Sequence, residues 1–185
     1  KDKRAVAVLG YEQVELDAAR HGELADVLAV WQGWCGQAEV PTWRNVDLAQ
    51  LPPALLPFTA VVDLIDGGQD CRYRFWGTGM VRLYGNDATG ELLSKNAGGS
   101  IAHSTIAQLK LVIDTARPLV FEVKITKLIG ASVIKINLRL PIMDEPDTVT
   151  KVITVALLLP GDLSPTEDLA KAWVAPELDR ELTEN

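Results

Sequence analysis

Three long β-forming segments, "LVFEVKITKL", "SVIKINLRLPIM" and "KVITVALLLPG", follow one another in the second half of the chain with only "IGA" and "DEPDTVT" between them. Joins this short, carrying glycine or proline, return each strand beside the last, so the segments predict an antiparallel meander. The middle strand alternates cleanly. Ile134, Ile136, Leu138 and Leu140 point one way, and Lys135, Asn137 and Arg139 the other. The last strand is apolar on both faces, as a central strand covered on each side would be. The simplest reading of the basic face, to which Lys124 and Lys127 add, is solvent exposure. The alternatives are an acidic partner, the chain's own tail or a small anionic ligand.

Upstream, "FTAVVDLID" and "CRYRFWG" read as two strands joined by the hairpin turn "GGQD". The helix "IAHSTIAQLKLVIDTA" carries Ile106, Leu109, Val112 and Ile113 on one face and ends where Pro118 follows Arg117. "VPTWRNVDLAQLPPALLPF" holds Pro41, Pro52, Pro53 and Pro57, which forbid a long helix and make an irregular entry to the core. Ahead of it, "ELDAARHGELADVLAVWQGWCG" has Leu16, Leu24, Val27, Leu28, Trp31, Trp34 and Cys35 at helical spacing. These elements predict an α+β fold: a five-stranded antiparallel sheet with helices gathered on one face, plus an N-terminal amphipathic helix. The division is a helical extension over 1–39, a core domain over 40–161 and an acidic tail over 162–185.

A length of 185 residues suits one domain of this kind. The apolar fraction of 48% is that of a folded protein, and a net charge of -7 argues against a general nucleic-acid binder. Much of the negative charge is local: from Asp162 onward seven acids meet only Lys171 and Arg180. Cys35 and Cys71 match no metal or disulfide spacing and read as free thiols of a reducing cytoplasm. No apolar run approaches the ~20 residues of a membrane helix, and no signal peptide is expected.

The order and motifs resemble a PAS domain. More narrowly, "LPPALLPFTAVVDLIDGGQDCRYRFWGTGMVRLYGNDATG" is similar to a PAS-type family widespread in alphaproteobacteria. The resemblance rests on Leu55, Leu56 and Pro57 in the entry, Asp63 on the first strand, and Arg72, Tyr73, Arg74, Gly77 and Thr78 at the second strand's end. The turn Gly85, Asp87, Thr89 and Gly90 and the "ARP" at Ala116 to Pro118 complete it, over about Val40 to Gly161. Such members carry an arginine followed by "LPL" and a glycine turn late in the domain. This chain keeps Arg139, Leu140 and Pro141 but has a longer acidic turn.

The resemblance implies a non-catalytic sensory or signalling module that binds a small ligand or a protein partner and passes its output to another protein. The expected pocket lies where helices meet the sheet, at Tyr73, Phe75, Met80, Leu83, Tyr84, Leu109, Val112, Ile136 and Leu138, whose alternative is an ordinary filled core. No cofactor is predicted; haem-binding relatives use a histidine on the long helix, which makes His103 the one haem candidate. A homodimer is expected through Leu24, Leu28, Trp31 and Trp34. "GTG" at Gly77 to Gly79 lacks the rest of any phosphate-loop pattern and is read as a turn needing glycine's backbone angles. Arg74 is expected to pair with Asp63 across the hairpin, Gly85 to end a helix and Asp87 to hold a turn. The rival reading is an enzyme or carrier for a small apolar substrate. The only acid–base set it can draw on is Asp63, Asp87 and His103.

Overall fold

In the computed structural model, residues 6–97, 99–127, 132–145 and 147–160 are described. The acidic tail, the "IGA" join and the side chain of Lys127 lie outside them. The strands are β1 (Val6–Val14), β2 (Thr59–Ile65), β3 (Asp70–Trp76), β4 (Leu119–Lys127), β5 (Ser132–Glu145) and β6 (Thr148–Pro160). The helices are α1 (Ala18–Cys35), α2 (Thr78–Tyr84), the one-turn α3 (Leu93–Asn96) and α4 (Gly99–Thr115). All six strands form one antiparallel sheet in the order β1-β4-β5-β6-β2-β3.

The sheet therefore has six strands where five were expected. The sixth is β1, which pairs with β4 from Val6 opposite Lys127 to Val14 opposite Val120. The stretch Val6–Val14 of the N-terminal segment is thus built into the sheet. Its register slips between Val8 and Gly10, which leaves Leu9 exposed while Val6 and Val8 face the core.

Helices cover both faces, a second departure from expectation. On one face, α1 and the proline-rich entry bury Leu24, Val27, Trp31, Trp34, Leu51 and Leu55 against Val61, Ile136, Leu138, Leu140, Ile153 and Val155. On the other, α2, α3 and α4 bury Leu83, Leu93, Leu109 and Val112 against Val62, Phe121, Val123, Ile125 and Val152. Alternation along β5 decides the arrangement. Its continuous apolar side turns to α1, because that side alone offers enough area to cover an apolar helix stripe. The polar side consequently faces the space under α2 to α4.

The α1 helix is seated by more than apolar area. Asp17 caps it by accepting from the Ala19 N–H at 2.9 Å. The Trp31 Nε1–H donates to the Pro141 carbonyl at 3.0 Å, and the Trp34 Nε1–H to Gln50 Oε1 at 2.9 Å. Arg20 pairs with the buried Glu122 at 3.0 Å. Leu24, Trp31 and Trp34 are thereby consumed within one chain rather than left free for a second copy, and Leu28 is half-buried on the same core. Replacing Trp31 by Ala is expected to cost about 3–5 kcal/mol of unfolding free energy, and by Phe far less. Urea titrations of the two variants check this.

The neighbouring His21 is buried at a kink, where Nδ1 accepts from the Asp17 N–H at 3.1 Å and Nε2 has no partner. Burial, then the adjacent Arg20, holds its pKa below the ordinary histidine value, against the opposite pull of Asp17 and Glu122. Its contribution is therefore fully present above the unfolded value of about 6.5 and is lost as pH falls through the lower folded value. Stability should drop between pH 7.5 and pH 5.5, and drop less in His21→Gln, as read from denaturation midpoints.

Candidate functional site

A cavity of about 240 Å3 lies between the sheet and the roof formed by α2, the α3–α4 junction and α4. Val62, Met80 and Ile101 make apolar wall, and Tyr73, Trp76 and Tyr84 an aromatic one. The exposed Gly85 and Asn86 stand at its mouth. The aromatic wall depends on a bulge in β3. Val61 faces Phe75 while the next residue, Val62, faces Tyr73, so Arg74 is the extra residue. The slip brings Tyr73 and Trp76, three positions apart, onto one side, with ring centroids 4.6 Å apart in an edge-to-face contact. It sends Phe75 to the α1 side, where it packs in that core. Trp76 also meets Tyr84 at 5.4 Å.

The floor is cationic. Arg139 and Lys135 on β5 and Thr154 on β6 line the cavity. Arg139 is only 5% exposed. Its Nε–H donates to Gln108 Oε1 at 3.0 Å and its Nη1–H to Thr154 Oγ1 at 2.8 Å. Gln108 is held in turn by its Nε2–H donating to Ser104 Oγ at 2.9 Å. Lys135 Nζ donates to the Tyr84 hydroxyl at 2.6 Å. All these acceptors are neutral. Among the described residues no carboxylate pairs with Arg139 or Lys135, and none lines the cavity. Burial lowers Arg139 to about 10, which keeps it charged at neutral pH. Burial also raises Tyr73 well above the ordinary phenol value, so its hydroxyl stays a donor. An unpaired buried cation costs on the order of several kcal/mol, and this cavity keeps two of them without a carboxylate among its described lining.

The segment from β3 to α4 forms the cavity's rim. Gly77 has ordinary extended angles, φ -65° and ψ 154°, so the expected reason for glycine there, unusual backbone angles, is wrong. The reason is space. A Cβ at Gly77 would run into the Pro57 carbonyl, and one at Gly79 would stand 2.7 Å from the Phe58 ring. The proline-rich entry thus packs directly on the β3–α2 turn. Gly85 does end α2, at φ 86°, with its N–H donating to the Val81 carbonyl at 2.7 Å. Asp87 closes the following turn by accepting from the Thr89 N–H at 2.9 Å. That turn folds back on β3: Arg72 Nη1 donates to the Gly90 carbonyl at 2.8 Å, and the Trp76 indole N–H to the Asn86 carbonyl at 3.2 Å.

Of the expected pocket residues, Tyr73, Met80 and Tyr84 line the cavity. Leu83, Leu109 and Val112 lie behind its wall in the same core. Ile136 and Leu138 are on the opposite face, under α1, as Phe75 is. His103 is exposed on α4 and does not line the cavity. Lys135, Asn137 and Arg139, read most simply as solvent-exposed, are buried. Sequence reasoning missed Trp76, Asn86, Asn96, Ile101, Thr105 and Thr154 in the lining. The signal for Trp76 was its place three residues after Tyr73, which only a bulge converts into a shared face. Arg74 pairs with Asp63 at 3.0 Å as expected and lies over the Trp43 ring. Both cysteines are free thiols, and burial pushes Cys71 up to about 12.

The steric account of the rim makes a contrast. Gly77→Ala should lose at least about 1–3 kcal/mol because the obstacle is backbone. Gly99→Ala, with nothing within 4 Å of the added carbon, should be neutral or slightly stabilising. Chemical denaturation of the pair checks it.

No family model matches the chain, and no curated protein matches it in sequence.

Proposed function

We propose that the chain is a PAS-type sensory module, without catalysis of its own, that binds a small ligand in the cavity and conveys the bound state to a protein partner. The observation that carries this reading is the cavity itself, with Tyr73, Met80 and Tyr84 converging on it from β3 and α2. The order β3-β2-β6-β5-β4, with α2 to α4 inserted between β3 and β4, supports the PAS resemblance; β1 is then an added edge strand. Of the motif residues, Tyr73 and Gly85 line the cavity and Gly77, Asp87 and Gly90 lie in the segment that frames it, whereas Leu55 is buried on the α1 side and Asp63 pairs with Arg74 beside Trp43.

The route for a signal follows from the two-sided sheet. Arg139 faces the cavity while its neighbours Leu138 and Leu140 face α1. A ligand that prefers one arrangement of β5 and β6 biases how α1 sits on the other face. A homodimer through α1 would use the outer side of that helix, since Leu24, Trp31 and Trp34 are buried within the chain. Free thiols at Cys35 and Cys71 suit the cytoplasm. No helix among the described residues is long and apolar enough to cross a membrane.

For an enzyme, the available acid–base set is scattered. Asp63 is engaged by Arg74 and approached by Lys151 at 3.8 Å, Asp87 holds its turn, and His103 is exposed on α4. None of the three lines the cavity.

Native mass spectrometry after incubation with a metabolite extract tests the reading. The protein should carry a small-molecule adduct that disappears in Thr105→Phe, which fills the cavity from α4. Identical ligand-free masses for both proteins would reject it in favour of a pure interaction module.

A further inference from the structure

The two cations of the cavity floor stand four residues apart on one face of β5, so their backbones are about 13 Å apart along the strand. Both are buried, and among the described residues their hydrogen bonds go to neutral acceptors: Arg139 to Gln108 and Thr154, Lys135 to Tyr84. Arg139 keeps Nη2 without a partner among the described residues, and an ammonium bonded once to a phenol keeps two further donors. The wall between these poles is apolar and aromatic.

We propose that the cavity binds a small dicarboxylate, one carboxylate at Arg139 and one at Lys135, with a flat or short apolar spacer lying against Tyr73 and Trp76. The proposal deepens, and rests on, the reading of this cavity as a ligand site. Charge balance supports a dianion, because a monoanion leaves one buried cation unanswered. A diacid spaced by one ring or four methylenes, with a hydrogen bond at each end, spans about 12–14 Å, the same range as the separation of the two backbones along β5. Volume agrees too, since 240 Å3 at interior packing density holds about a dozen non-hydrogen atoms. Inorganic phosphate would satisfy one pole and leave the aromatic wall unused. An amino acid would bring an ammonium group into a cavity whose described lining has no acid to receive it.

The test is calorimetric titration of the full chain with terephthalate and adipate, against 4-methylbenzoate, which replaces one carboxylate of terephthalate by a methyl, and adipamide, which removes both charges. The dicarboxylates should bind at least tenfold tighter than either control. In Lys135→Met, terephthalate should weaken at least tenfold while 4-methylbenzoate stays within about threefold. Arg139→Met should weaken both; because that residue is part of a buried network, the ligand series on the unaltered protein decides the matter if the variant does not fold. Equal affinities for terephthalate and 4-methylbenzoate would overturn the two-pole assignment. Absence of binding by all four compounds would also overturn it; if the cavity-dependent adduct is still seen by native mass spectrometry, the ligand-site reading survives that failure, and if no such adduct forms, both fall.

Discussion

The architecture turns on the polarity of one strand. β5 offers Ile136, Leu138, Leu140 and Ile142 to α1 and Lys135, Asn137 and Arg139 to the space beneath α2 to α4. Neither set could exchange places with the other. The α1 stripe of Leu24, Val27, Trp31 and Trp34 needs an apolar surface, and only one side of β5 supplies it. Once that side is taken, two long cationic side chains must end up inside the other layer. There the protein satisfies part of their hydrogen-bonding capacity with Gln108, Thr154 and Tyr84 but supplies no counter-charge among the described residues. A core filled for stability alone would place hydrophobic residues of similar volume at these positions at little or no cost.

This arrangement links the cavity to the outer helix without a long pathway. A single strand carries the cavity floor on one face and the α1 seat on the other, which is the route the proposed signal would take. The proline-rich entry joins the two layers at a second place. Its Leu51 and Leu55 are buried on the α1 side, while the Pro57 carbonyl presses on Gly77 at the cavity rim. The entry's other end is fixed to β5, where the Met143 N–H donates to the Pro41 carbonyl at 3.0 Å and Asp144 accepts from the Trp43 N–H at 3.1 Å.

Much of the fold was legible because its signals are local. The β2–β3 hairpin, α4, the three-strand meander and α1 all announce themselves by periodicity and by glycine or proline at their ends. Two features were not. β1 carries Gly10 and a bulge at Leu9, so its alternation is broken within nine residues, and its existence depends on pairing with β4 more than a hundred positions away. The direction of the β5 faces was unreadable for a different reason. A strand alternating Ile and Leu with Lys, Asn and Arg has the pattern of a half-exposed strand, and only the presence of helices on both sides turns its polar face inward. The aromatic wall shows the same limit. Tyr73, Met80 and Tyr84 could be selected as pocket residues, but the Arg74 bulge decided that Trp76 joins them and Phe75 does not.

A crystal structure grown in the presence of terephthalate tests the central claim most directly, because it shows where the polar face of β5 points and what answers its charge. The account predicts density for the diacid inside the cavity, one carboxylate on the Arg139 guanidinium and the other on Lys135, with the ring against Tyr73 and Trp76. Lys135 and Arg139 turned to solvent, or paired with a carboxylate of the chain itself, would contradict it.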